Sequence, residues 1–370
     1  MSWRMPYEWD LSPLYISFLI SAMAAYPVYR ILISLKSRQI ISQYTPEHQV
    51  KQGTPTMGGI IVVIGFLTGM TSYLFNYHAS HNRILLRPNF CVLALFAGYA
   101  LIGFVDDFVV PRLMAGKRGL GWKQKLVLQL VVACVCFVPI TGFTATTGIT
   151  VFLVLAFSNA YNFSDGMDAL AALLLIGLAS GLLAIAFLTS AWRVIPFPLC
   201  LLGSILPFLY LNKPKAMVFM GDVGSLPIGA IFGFVFAAIA IPDLRFAFDR
   251  PPLYIDNPPV GYETMSWYVY LALVVISGMM IVELVPGPLQ ILSVKIRKKK
   301  LFSFTPIHHA FERKGWPELK VVLVFALAQL LLSLIAVGIV YEGVTKEPPI
   351  VFHRLGDEFK SGIHAWEYVK

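Results

Sequence analysis

The sequence predicts an all-α integral membrane protein of about ten transmembrane helices, and three observations carry that prediction. Of its 370 residues, 57% are hydrophobic and only 13% are charged, with a mean hydropathy of +0.72. A soluble domain of this size could not cover so much apolar surface. The charges fall in short clusters separated by apolar runs of about 20 residues, the length at which a helix crosses a bilayer. Finally, most of the 29 Lys and Arg gather in alternate connections between those runs, the pattern of loops retained in the cytosol.

In order, the spans are predicted near 11–30, 60–78, 88–105, 126–142, 147–163, 169–191, 194–212, 224–242, 265–285 and 321–341. The first is expected to be uncleaved, because its apolar run after Asp10 is too long for a signal and leads into further spans. The fourth and fifth share one charge-free stretch, 126–164, divided at "PITGFTATTG" (139–148), which makes both short. The basic loops follow the odd-numbered spans, so those loops are expected in the cytosol and both termini outside. The net charge of +9 is then a consequence of topology rather than a sign of nucleic-acid binding. Residues 1–341 read as one polytopic domain and 342–370 as an extracytoplasmic tail; the Pro- and aromatic-rich 243–264 reads as an outside loop. Cys91, Cys134, Cys136 and Cys200 all lie in apolar runs, where packing is the ordinary use. They form neither a disulfide framework nor a zinc-site spacing.

Five unusual stretches fall at the same end of these spans: "KQGTPTMGG" (51–59), "GFVDDF" (103–108), "SNAYNFSDGMDAL" (158–170), "FMGDVGS" (219–225) and "TPIHHAFERKGWPE" (305–318). All five follow odd-numbered spans, which predicts a site on the cytosolic face. Asp106, Asp107, Asp165, Asp168 and Asp222 therefore approach one membrane surface, where acids are costly enough to need a use. Asp106 and Asp107 are adjacent, so on an α-helix they point about 100° apart. One is expected to face a site while the other supports it or pairs with a lysine. Asn159, Asn162, Asp165 and Asp168 recur every third residue and would wrap a helix end. Asp222, among glycines, either caps the following helix or serves as a metal carboxylate of the kind Mg²⁺ takes with phosphates and water. The 51–59 stretch lacks the Gly-Lys-Ser/Thr of a Walker loop; its Thr54, Thr56 and Lys51 suit either a turn or a phosphate. His308 and His309, in a basic loop, suit an anionic ligand. Carboxylates, a Mg²⁺ candidate and basic residues at one surface point to phosphoryl transfer, in which the protein supplies positioning and charge neutralisation. A transporter would spread polar groups through the membrane depth or show repeats, and neither is seen.

These motifs, in this order over roughly residues 45–340, resemble the phospho-N-acetylmuramoyl-pentapeptide transferase family of the polyprenyl-phosphate N-acetylhexosamine-1-phosphate transferase superfamily. The resemblance implies a bacterial cytoplasmic-membrane enzyme with Mg²⁺ as cofactor. Its implied substrates are UDP-MurNAc-pentapeptide and undecaprenyl phosphate, its products lipid I and UMP, and it allows a homodimer. It further implies that Asp222 binds Mg²⁺, that one of Asp106 and Asp107 deprotonates or orients the lipid phosphate, and that His308 belongs to the catalytic set. Lys51, Lys125 (with Lys123 the near alternative), Asn162, Asp165, Asp168 and His309 match the family's polar and basic positions. Three positions depart from the pattern: Ala310 where a third His is usual, Ala169 where Gly is usual, and Pro227 early in the eighth span.

Overall fold

A computed structural model describes residues 10–35, 53–80, 86–114, 119–242, 244 and 266–346. Among them the regular structure is all helical. The helices are α1 (Ser12–Ser34), α2 (Ile60–Ser80), α3 (Leu86–Phe104), α4 (Val110–Leu113), α5 (Trp122–Thr141), α6 (Ala145–Ser164), α7 (Leu170–Leu188), α8 (Pro196–Asn212) and α9 (Asp222–Ala240), followed by α10 (Trp267–Ile276), α11 (Gly278–Leu284), α12 (Pro286–Arg297), α13 (Ile307–Arg313) and α14 (Glu318–Lys346). A π-turn, Val105–Val109, joins α3 to α4. Eight helical segments among the described residues are long and apolar enough to cross a membrane: Ser12–Ser34, Asn89–Leu113, Trp122–Thr141, Leu170–Leu188, Trp192–Asn212, Asp222–Ala240, Gly278–Arg297 and Glu318–Lys346. Helices also occupy the predicted second and fifth spans, as α2 and α6.

The bundle is built around α9. All of its residues but Asp222 and Phe236 are buried, so it is apolar all round, as a helix enclosed by other helices must be. Gly229 and Gly233, four apart, lie against the α6 backbone at Phe157–Ser158 and Leu153–Val154. Small residues at this spacing let two membrane helices approach closely, gaining dispersion contacts where lipid offers no hydrophobic drive. Around this centre Phe137 stacks on Phe234 with centroids 6.0 Å apart, and Phe197 meets the same ring edge-on at 5.2 Å. Helices α1, α5 and α14 carry much exposed apolar surface, including Tyr26, Val135 and Leu327, the outer face expected of a bundle set in lipid.

Four predicted boundaries are corrected. The fourth and fifth spans are not short: α5 and α6 have 20 residues each. Their junction is only Gly142–Thr144, where Gly142 ends α5 at φ 70° and Thr144 Oγ1 accepts from Thr147 N at 3.3 Å. Helix α5 begins at Trp122, so Lys123 and Lys125 stand on its first turn instead of in a loop. The ninth span, predicted as one run over 265–285, is divided at Ser277 and again before Pro286, and the helical path continues to Arg297. The Ser277 hydroxyl donates to Leu273 O at 2.7 Å, a back-bond that bends helices. Pro286 has no N–H to carry the ladder on. The last helix runs to Lys346, so the predicted tail begins within it. Of the predicted outside loop 243–264 only Leu244 is described, and Lys51 and residues 347–370 lie outside the described residues.

Candidate active site

Hydrogen bonds bring the five stretches together at one end of the bundle. The 55–59 segment is zipped to the loop before α9: Gly58 N donates to Phe219 O at 2.7 Å, Gly59 N to Met220 O at 2.9 Å and Phe219 N to Pro55 O at 2.9 Å. Gly59 and Gly224 face each other with no room for a side chain on either. Gly221 has φ 72° and ψ 174°, a conformation essentially reserved for glycine, and it packs against Asp107 and Thr56. This fixes the start of α9 against the ends of α3 and α6.

Acidic side chains then line that start. Asp107 Oδ2 accepts from Val223 N at 3.1 Å, and Asp165 Oδ2 from Gly221 N at 3.1 Å. The open N–H groups of α9 are thus met by acids from other helices, where the helix dipole favours them. The capping reading of Asp222 is set aside, since Asp222 is the first helical residue and its carboxylate points elsewhere. Its Oδ1 accepts from Asn162 Nδ2 at 2.7 Å, and its Oδ2 pairs with Lys125 Nζ. Asn162 Nδ2 also reaches Ser225 Oγ at 2.8 Å. Asp106 Oδ1 accepts from Leu120 N at 2.7 Å and its Oδ2 from Lys125 Nζ at 3.1 Å. Each of Asp106, Asp107 and Asp222 offers one oxygen to a group lying within 4.8 Å of one another.

Both members of the 106/107 pair reach the cluster, and Asp106 makes the lysine pairing expected for one of them, with Lys125. They lie in the π-turn, whose i→i+5 closure changes the angle between successive side chains and often marks functional sites. Three carboxylates so close repel one another, and Lys125 is the cation among the described residues that bonds two of them. Hard oxygen donors in this number suit a Mg²⁺ ion, so the residues present fit that group. Outside the spanning helices, Asp165 is held above the usual carboxylate range by burial, with the nearby Asp222 charge adding to it.

Other predicted residues sit elsewhere. Asn159 turns away: its Nδ2 donates to Gln129 Oε1 and to Leu155 O, both at 2.8 Å. Asp168 is buried and ties down a turn, its Oδ2 accepting from Lys215 N at 3.1 Å and Ala216 N at 3.0 Å, while its own N–H donates to Glu318 Oε1 at 2.9 Å. His308 is fully buried and joined through Nδ1 to Glu283 Oε2 at 3.0 Å, rather than to any clustered carboxylate. Its Nε2 faces Gly166. His309, its ring tilted against that of His308 with centroids 4.3 Å apart, pairs with Glu312 at 3.1 Å. Thr56 is buried against Gly221, and Thr54 is half-buried nearby. Glu283 was not singled out from the sequence, although a Glu inside a predicted span is itself a signal of use or pairing.

A glycosyl transferase family 4 model matches residues 89–241, which hold Asp106, Asp107, Lys125, Asn162, Asp165 and Asp222. Signature 1 of phospho-N-acetylmuramoyl-pentapeptide-transferase matches residues 51–63. Proteins of that name from Bacillus pumilus, Bacillus subtilis and Halalkalibacterium halodurans are 33%, 32% and 30% identical. Each alignment covers 88% of this chain, and 95%, 95% and 96% of the respective relative. The motifs, their convergence and these matches over most of both chains agree: the chain is a multi-pass membrane protein that belongs to the phospho-N-acetylmuramoyl-pentapeptide-transferase family.

Proposed function

We propose that this protein transfers phospho-N-acetylmuramoyl-pentapeptide from its UDP conjugate to undecaprenyl phosphate, giving lipid I and UMP, in the bacterial cytoplasmic membrane. The observation that carries this reading is the triad of Asp106, Asp107 and Asp222 with Lys125 on it. It stands at helix ends, where a water-soluble donor can meet a membrane-held acceptor. The positive-inside pattern supports ten spans with both termini outside and this end in the cytosol.

In the transfer, an oxygen of the lipid phosphate attacks the sugar-bearing phosphorus, the bond to the uridylyl phosphate breaks, and UMP leaves. One phosphoanhydride is exchanged for another, so the step is near balance. The protein's task is positioning and neutralising charge. Asp222, with Asp106 and Asp107, would hold Mg²⁺, which when bound would neutralise charge on the donor's pyrophosphate oxygens. Asn162 holds Asp222 through Oδ1, Val223 N holds Asp107 through Oδ2 and Leu120 N holds Asp106 through Oδ1, so all three carboxylates are oriented before any ligand arrives. Lys125 is within reach of the same space and would meet donor phosphate. Lys51 and the Thr54–Thr56 stretch would complete the basic and hydroxyl lining.

The test is UMP release by the purified protein with undecaprenyl phosphate and Mg²⁺, comparing UDP-MurNAc-pentapeptide with UDP-GlcNAc. Release with the muramoyl donor alone, lost on chelation, supports the proposal. Release only with UDP-GlcNAc keeps the chemistry and overturns the substrate.

A further inference from the structure

The geometry around Lys125 points to a role that the proposed reaction does not itself require. Asp106 and Asp222 are each held by one oxygen from the protein side: Oδ1 of Asp106 by Leu120 N, and Oδ1 of Asp222 by Asn162 Nδ2. Their remaining oxygens, both Oδ2, are the atoms left for a ligand. Lys125 Nζ bonds both of them. An ammonium and a divalent cation would therefore compete for the same two oxygens.

We infer that Lys125 is a placeholder cation, which occupies the carboxylate site in the ligand-free protein, is displaced when a divalent cation enters, and is thereby released to pair with the phosphates of the arriving donor. The inference rests on the proposed metal site. Its physical basis is charge. Three carboxylates and one ammonium leave the cluster at a formal −2, so the lysine offsets part of a repulsion that the ligand-free protein must otherwise bear. A divalent cation offsets more, and the freed ammonium then faces an anionic pyrophosphate. Cation and donor would thus favour each other's binding, each removing an obstacle to the other. Lysine suits such a transfer because its charge is a compact point on a flexible stem. It stands on the first turn of α5, and its side chain is 18% exposed.

The opposite account makes Lys125 a brace that holds Asp106 and Asp222 in place for the cation. The two accounts predict opposite signs. Mn²⁺ binding to the purified full-length protein, without nucleotide, is followed by electron paramagnetic resonance for wild type, Lys125→Met, Lys125→Arg and Asp222→Ala. Displacement predicts that Lys125→Met binds Mn²⁺ more tightly than wild type by about tenfold or more, equivalent to about 1.4 kcal/mol, and that Lys125→Arg does not. Equal or weaker binding by Lys125→Met overturns the inference. A second measurement needs no variant: amine-directed labelling of Lys125 in wild type, read by peptide mass, should speed up when Mn²⁺ is added. Unchanged labelling at saturating Mn²⁺ also overturns it. If no binding depends on Asp222 in any form, the metal site itself falls, and this inference with it. Asp222-dependent binding that ignores Lys125 overturns the placeholder role alone.

Discussion

Asp222 and Asp107 differ from ordinary helix-end acids because their partners fix them in a shared space. Asp222 is clamped by Asn162, and Asp107 by the first turn of α9. Asp107→Ala should lower turnover by about a hundredfold or more, the loss typical of removing one preorganised charge-stabilising group, with expression and melting temperature close to wild type. Near-normal turnover would remove Asp107 from the site. Glu283 makes a different prediction. It and His308 are both fully buried, and each has a second polar atom, Oε1 and Nε2, without a hydrogen-bond partner among the described residues. Glu283→Ala should cost about 1–3 kcal/mol of stability by leaving His308 Nδ1 unpaired as well, read as a lower melting temperature, while Glu283→Gln should retain most of the stability. An Ala variant that melts with wild type would show that the pair contributes nothing.

At the scale of elements, the turn between α6 and α7 carries a local backbone strain. Ala169 takes φ 65° as the residue before α7, and its N–H donates to Asn212 Oδ1 at 2.9 Å. A side chain in the left-handed region costs roughly 1 kcal/mol. Ala169→Gly should therefore stabilise the protein by about that amount; a variant that melts earlier would contradict this. The elements themselves were largely legible, because an apolar run of bilayer length leaves a chain few alternatives to a helix. Their ends were less so. Trp122, Lys123 and Lys125 read as loop, since the sequence counts charges, whereas a long basic side chain can run its stem along a helix and keep its head at the surface. The division at Ser277 and Pro286 was hidden within an otherwise uniform apolar run. Among the site residues, those legible were the ones whose type is unusual for a membrane span. Asn159 was read into the site on spacing, and Asp168 on spacing together with the family resemblance. Spacing cannot tell an amide that faces the cluster from one that bonds Gln129, nor an acid that binds a ligand from one that holds the Lys215–Ala216 turn.

For the whole molecule, the prediction of one shared face is the strongest inference from sequence. It needed only the alternation of charge, and the structure gathers the described stretches at one bundle end. Which side of the membrane that end occupies has a direct test. Lys123, exposed at the site end of α5, and Phe143, exposed at the opposite hairpin, can each be replaced by cysteine in cells. Lys123→Cys should resist a membrane-impermeant thiol reagent added from outside, and Phe143→Cys should react. The reverse pattern would invert the topology.

The central claim is that the Asp106–Asp107–Asp222 triad performs phosphosugar transfer, and its most direct measurement compares UMP release by wild type and Asp222→Ala. Both are assayed with saturating UDP-MurNAc-pentapeptide, undecaprenyl phosphate and Mg²⁺, after matching melting temperatures establish that both are folded. The account predicts release by wild type and a loss of about a hundredfold or more in the variant. Release by Asp222→Ala at close to the wild-type rate would contradict it.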